Sequence, residues 1–108
     1  MKDKKPFQNK IALVTGSGRG IGRAIATHFA QGGADVVINF FRTRAPAEET
    51  AAQIEALGSR ALVVKANLGD LDDLGRLFDE TDQAFGGLDI FVHNAASGFN
   101  RPAMKQRA

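Results

Sequence analysis

Ile11-Ala12-Leu13-Val14-Thr15-Gly16-Ser17-Gly18-Arg19-Gly20-Ile21-Gly22 is the stretch on which the reading of the fold turns. Ile11 to Thr15 is short, apolar and rich in β-branched side chains, the composition of a buried strand. It runs straight into four glycines within seven residues. Beyond them Ile21, Ala24, Ile25, His28 and Phe29 recur at helical spacing, and Gly32-Gly33 supplies the stop. The glycine turn therefore sits where a buried strand hands its chain to a helix.

Downstream the same alternation repeats. Asp35 to Phe40 contains Val36-Val37-Ile38, a second buried strand, and the segment from about Ala45 to Leu57 carries Ala47, Ala51 and Ile54 on one face. Pro46 suits a first helical turn there and Gly58 its end. Ala61-Leu62-Val63-Val64 predicts a third strand, and Asp70 caps a helix whose Leu71, Leu74, Phe78, Thr81 and Phe85 form its apolar stripe, closed by Gly86-Gly87. Leu88 to Val92 reads as a fourth strand.

Strands that are apolar along their whole length, separated by amphipathic helices, pair in parallel with helices on both sheet faces. Right-handed crossovers and a reversal after the third strand give the order 3-2-1-4. The fold class is thus α/β, the amino-terminal half of a Rossmann-like doubly wound parallel sheet. Residues 10–98 form its one folded unit, preceded by a flexible stretch over 1–9 and followed by a tail over 99–108.

Composition narrows the function classes. Of the 108 residues, 44% are hydrophobic and 24% charged, which is ordinary for a globular chain and excludes disorder for the bulk of it. The net charge of +2 comes from the two ends, because Pro6 to Gly98 holds 8 Lys or Arg against 11 Asp or Glu. A nucleic-acid binder needs clustered cations with stacking aromatics, and the phenylalanines here fall mainly on strands and apolar helix faces. With no cysteine there is no disulfide framework, no cysteine-rich zinc site and no thiol catalysis. Met1 to Lys10 lacks the apolar run of a signal peptide, and no apolar segment reaches membrane length. A cytoplasmic protein without a metal site is the expectation.

The glycine turn is spaced Gly16-(three residues)-Gly20-(one residue)-Gly22, which does not match the G-x-G-x-x-G fingerprint from any starting glycine. Its physics is shared all the same. Glycine lets the backbone turn sharply and lets a pyrophosphate approach the main chain, while the free N–H groups and the dipole at the helix start favour phosphate. The competing reading is a tight connection without a ligand. A nucleoside triphosphate loop is disfavoured by the missing lysine followed by Ser or Thr.

An acidic residue at the end of the second strand would bind a ribose 2′-hydroxyl and repel a 2′-phosphate. Here Ile38-Asn39-Phe40-Phe41-Arg42-Thr43-Arg44 has no acid before Glu48. Arg42 and Arg19 are placed to make charge-assisted contacts to a 2′-phosphate, which points to NADP(H) rather than NAD(H). Solvated loop arginines are the plainer alternative.

With Thr15-Gly16-(three residues)-Gly20-Ile21-Gly22 after strand one and Asn94-Ala95-Ala96 after strand four, the chain resembles the short-chain dehydrogenase/reductase family. The resemblance covers Lys10 to about Met104. It implies that Gly16, Ser17, Arg19, Gly20, Ile21 and Gly22 hold the pyrophosphate and adenosine side, that Asn67 and Leu68 meet the adenine, and that Asn94, Ala95 and Ala96 line the ribose. Asn67 stands where the family often has Asp, and His93 and Ala96 depart from the common Asn-Asn-Ala-Gly. His93-Asn94-Ala95-Ala96-Ser97-Gly98 with Arg101-Pro102 and Met104 resembles the short-chain NADPH-dependent enoyl-acyl-carrier-protein reductases, with the 3-oxoacyl-acyl-carrier-protein reductases as competitor. His93 at a strand end reads as a structural residue, and His28 on the first helix as a packing or surface residue rather than a ligand.

Reduction in the family resembles hydride transfer coupled to proton donation by a tyrosine beside a lysine, with a serine polarising the substrate oxygen. This chain has no tyrosine, so it offers no catalytic residue. The resemblance implies a parent that reduces an enoyl- or 3-oxoacyl thioester of acyl-carrier protein or CoA in fatty-acid synthesis, as a homotetramer. The chain itself is expected to be a truncated fragment, marginally stable through the apolar edge left on strand four. The alternative to an oxidoreductase is an inactive nucleotide-binding fragment.

Overall fold

Apolar, largely β-branched runs form the strands of the computed structural model, which describes residues 5–94: β1 (Ile11–Val14), β2 (Asp35–Phe40), β3 (Ala61–Lys65) and β4 (Ile90–Val92). Between them lie α1 (Gly20–Gln31), α2 (Arg44–Ala56) and α3 (Leu71–Phe85). All pairings are parallel and the order is β3-β2-β1-β4, as the alternation predicts. Register puts Leu13 beside Val37 and Phe91, and Val37 beside Leu62, so the carboxyl ends of the four strands come out on one edge of the sheet.

Both sheet faces are covered. On one, Ala12, Val14, Val36, Ile38 and Phe40 meet Ala26 and Ala30 of α1 and Ala47, Ala51 and Ile54 of α2. Small side chains at four of these five helix positions let two helices lie close to the strands. On the other face Leu13, Val37, Val64 and Ala66 meet Leu77 of α3.

Helix ends follow the local chemistry. Asp70 accepts from the N–H groups of Asp72 and Asp73, and those two acids complement the positive end of the α3 dipole. Gly86 ends α3 in the left-handed region at φ +83°. Phe7, inside the stretch expected to be flexible, donates its N–H to Gly32 O at 2.8 Å and sets its ring edge-on to Phe29. His28 is exposed and its ring borders the same aromatic group, as a packing or surface residue rather than a ligand.

Two expectations are corrected. The stripe expected on α3 is turned about its axis: Leu74, Leu77, Thr81 and Phe85 face the sheet, whereas Leu71 is 82% exposed and Phe78 sits at the margin, edge-on to Phe91. The expected stripe and the observed one share Leu74, Thr81 and Phe85 and differ only in whether Leu71 and Phe78 or Leu77 complete them, and the sheet selects between them. β4 begins at Ile90 rather than Leu88, because Asp89 turns its carboxylate onto the Ile11 N–H at 2.9 Å before the ladder starts. Among the described residues no helix is long and apolar enough to cross a membrane.

Candidate cofactor site

Thr15, fully buried at the end of β1, ties the turn to β4. Its N–H donates to Val92 O at 3.0 Å, and its Oγ1 accepts from Asn94 N at 2.8 Å and lies 3.3 Å from Asn94 O. Asn94 returns the contact, donating Nδ2 to Gly16 O at 3.2 Å. Gly16 takes φ +61°, a left-handed conformation that glycine adopts without a steric cost.

From the other side the turn is held by β2. Asn39 is 3% exposed; its Oδ1 accepts from Gly16 N at 3.2 Å while its Nδ2 donates to Ala66 O at 3.2 Å beyond the end of β3. Ser17 is buried as well. Its N–H donates to Asn39 O, and its Oγ donates to Val14 O at 2.7 Å, so the hydroxyl anchors the turn and faces no groove.

The start of α1 then passes close behind the turn. A Cβ at Gly22 would lie 2.8 Å from Gly16 C and Ser17 Cα and nearer still to Gly16 O, so only glycine permits this approach. Arg19 occupies the N-cap position with no side-chain cap, and the first-turn N–H groups of Gly20, Ile21 and Gly22 have no partner within the helix. Gly20 repeats the left-handed φ of +61° with open space beside it. The result is a side-chain-poor cradle of N–H groups at a positive helix end.

Beside the cradle a groove of about 670 Å³ crosses the carboxyl ends of all four strands. It is lined by Gly16 after β1, Asn39 of β2 with Phe41 and Arg42 just beyond it, Ala66, Asn67, Leu68 and Gly69 after β3, and His93 and Asn94 after β4. Asn67 is fixed by Asp73 of α3, whose carboxylate accepts the Asn67 N–H at 2.8 Å. That bond holds the Asp73 carboxyl below its ordinary range against the opposing effect of desolvation, with smaller help from Arg76 and Lys65. Asn67 Oδ1 in turn accepts from Gly69 N at 3.0 Å.

A second hollow of about 250 Å³ adjoins it, with Gly16, Gly18 and Arg19 on the turn side and Phe41, Thr43 and Pro46 on the α2 side. Exposed Arg19 and Arg42 stand at these two openings, the guanidinium of Arg42 lying 5.3 Å from the centre of the Phe41 ring. Neither opening has an Asp or Glu among its lining residues, and on α2 Glu48 is paired with Arg44 at 3.2 Å and Glu49 with Arg23 at 3.3 Å.

Of the residues singled out from the sequence, Gly16, Arg42, Asn67, Leu68 and Asn94 share the groove, and Arg19 shares the hollow with Gly16. Gly20, Ile21 and Gly22 form the helix start, with Ile21 pointing to solvent. Ala95 and Ala96 lie outside the described residues. Sequence reasoning missed Asn39, although an asparagine inside an otherwise apolar strand must find partners, and that was the available signal. His93, read as structural, places its ring on the groove with Nδ1 3.4 Å from Thr15 Oγ1.

A strand-turn-helix cradle at the carboxyl edge of a 3-2-1-4 sheet is shared by many nucleotide-binding chains, and comparison narrows it. The model of the short chain dehydrogenases matches residues 10–107. The chain belongs to the short-chain dehydrogenase family. A hydroxynaphthalene reductase-like protein, Arp2, of Metarhizium guizhouense is 45% identical to this chain over 98 residues, 91% of the chain and 37% of the relative. The crystal structure of a short chain dehydrogenase from Burkholderia cenocepacia in complex with NADP superposes with a TM-score of 0.81 at 46% identity, over 84% of this chain and 37% of that one. The promiscuous reductase LugOII, which catalyses keto-reduction at C1 in lugdunomycin biosynthesis, gives 0.77 at 44% identity, over 86% and 41%. The chain thus spans under half the length of these family members. Neither Arp2 nor LugOII bears the enoyl reductase name that His93 to Gly98 suggests.

Proposed function

We propose that this chain binds NADP(H) as the cofactor-holding part of a reductase that acts on a ketone carbonyl. The observation that carries the reading is the bare N–H cradle at the start of α1, opening onto a groove whose β2 side has arginine and no acid. The residues present fit the cofactor. The space that a Cβ at Gly22 would fill is where the turn and helix meet behind the pyrophosphate site. Arg42 and Arg19 would take the 2′-phosphate, Asn67 and Leu68 the adenine, and Asn94, Ala95 and Ala96 the ribose. Ser17 contributes through its backbone.

When bound, NADPH supplies a hydride. This chain's own part is to bind, orient and keep the cofactor in register with the strand ends. It holds no tyrosine, so the proton donor and the serine and lysine that assist it belong to the rest of the whole protein, and the 108-residue chain binds without turnover. The hydroxynaphthalene reductase-like and keto-reducing relatives support a ketone substrate. The alternative is an enoyl thioester of acyl-carrier protein or CoA in fatty-acid synthesis, favoured by His93 at the groove within the His93 to Gly98 pattern. A homotetramer in the cytoplasm is the setting the family resemblance implies.

Titration with NADPH and NADH, followed by nicotinamide fluorescence, tests the cofactor. NADPH binds more tightly, and Arg42→Ala removes the preference. Equal affinities in the wild type, or a preference unchanged in Arg42→Ala, overturns the assignment. For the substrate, the whole protein is given NADPH with acetoacetyl or crotonyl thioester, and preferential consumption with crotonyl thioester transfers the reading to enoyl reduction.

A further inference from the structure

Arg23, on the second turn of α1, gathers acceptors from two elements that the chain separates widely. Its Nη2 donates to Gly18 O at 2.7 Å and to Pro46 O at 2.9 Å, and its Nε donates to Thr50 Oγ1 at 2.8 Å. Thr50 is fully buried on α2, and its hydroxyl lies 3.1 Å from Gly18 O and 3.2 Å from Pro46 O, the same two carbonyls. Gly18 and Pro46 are opposite walls of the 250 Å³ hollow between the turn and α2. The walls already touch at its floor, since a Cβ on Gly18 would sit 3.2 Å from Ala47 N.

We propose that Arg23 and Thr50 form a clamp that fixes the width of this hollow and thereby positions it to select a 2′-phosphorylated dinucleotide. The proposal rests on the NADP(H) reading above. Neither side chain is among the groups lining the hollow, so both act through the carbonyls they hold. Releasing the clamp frees the Thr43 to Pro46 wall from the Gly18 to Arg19 wall. The N–H cradle at Gly20 to Gly22 lies within α1 itself and keeps its geometry. Contacts to a 2′-phosphate are therefore lost while those to the pyrophosphate persist. Arg23 also neutralises Glu49 at 3.3 Å, and its removal adds a negative charge near the hollow that acts in the same direction.

The test is the dissociation constant of the chain for NADPH and for NADH in Thr50→Val, Arg23→Met and Thr50→Ser, with circular dichroism as a control for folding. Thr50→Val leaves Arg23 and Glu49 paired and so isolates geometry from charge. Thr50→Val and Arg23→Met each weaken NADPH about tenfold, the equivalent of about 1.4 kcal/mol, and leave NADH within about twofold. Thr50→Ser restores the preference, because it keeps the hydroxyl. Weakening of both cofactors by one factor marks a general structural role and overturns the clamp, as does a preference that survives Thr50→Val. If Arg23→Met does not fold, Thr50→Val with its Ser counterpart decides. A wild type with no preference overturns the cofactor reading and this proposal with it.

Discussion

Replacing Gly22 by alanine sets helix propensity against the closest backbone approach in the site. A methyl there would stand 2.8 Å from Gly16 C and Ser17 Cα, with Gly16 O nearer. Carbon atoms prefer about 3.5–4.0 Å, so the start of α1 must retreat by about 1 Å. The obstructing atoms have little freedom, because Gly16 is held by Asn39 and Asn94, each at 3.2 Å, and Ser17 is tied to Val14 O. Overpacking a well-packed site costs about 1–3 kcal/mol, and contact with fixed backbone places this one at the upper end. Alanine in a helix offsets about 1 kcal/mol of that. The net loss of about 2 kcal/mol lowers the thermal midpoint of a domain near this size by roughly 8–16 °C. Gly75→Ala on α3 is the matched control: nothing lies within 4 Å of its added methyl, and its midpoint rises. Thermal melts of both variants by far-ultraviolet circular dichroism provide the assay. A Gly22→Ala midpoint at or above wild type, moving together with Gly75→Ala, would refute the reasoning, since propensity alone would then describe both sites.

Further predictions concern the supports of the site. Asn39→Leu leaves Gly16 N–H and Ala66 O without these bonds and costs about 2–6 kcal/mol in urea denaturation, from roughly 1–3 kcal/mol per orphaned group; a loss below about 1 kcal/mol would contradict the bridging role. Asp70→Ala removes the α3 cap and costs about 0.5–2 kcal/mol, whereas Asp70→Asn keeps most of it. Asp73 has a folded pKa lowered from its ordinary 3.8, so its contribution to stability is present above that value and is lost as pH falls through the folded one. Asp73→Asn accordingly flattens the acid limb of stability against pH, and identical acid limbs in the two proteins would refute the Asn67 contact as its cause.

Strand order was legible because Val36-Val37-Ile38 and Ala61-Leu62-Val63-Val64 have no polar alternation, and a strand apolar on both faces requires a covered parallel sheet. The glycine spacing identified the cradle for a partly local reason, since Gly16 and Gly20 need the left-handed region and Gly22 has no room for a Cβ against Gly16 and Ser17. The phase of the α3 stripe was not legible: Leu71 and Leu77 both lie three residues from Leu74, and only contact with Leu13, Val37 and Val64 selects Leu77. Arg23 and Thr50 left no signal, because a surface-like arginine and a mid-helix threonine become informative only when folding brings Gly18 and Pro46 together.

The glycine motif is therefore necessary to the cradle without determining it. Gly16 reaches φ +61° with its N–H on Asn39 of β2 and its carbonyl on Asn94 after β4, and Thr15 beside it is fastened to the same asparagine. Three strands thus fix one turn. The same eight residues between another strand and helix would keep their conformational freedom but lose the partners that select one conformation from it. Asn39 also carries the constraint across the groove, because the carboxamide that holds Gly16 on one side holds Ala66 on the other, one residue before Asn67. The turn side and the Asn67 side of the groove are thus set to a common spacing by a single buried side chain, and under the proposed NADP(H) reading that spacing is what a dinucleotide of fixed length requires.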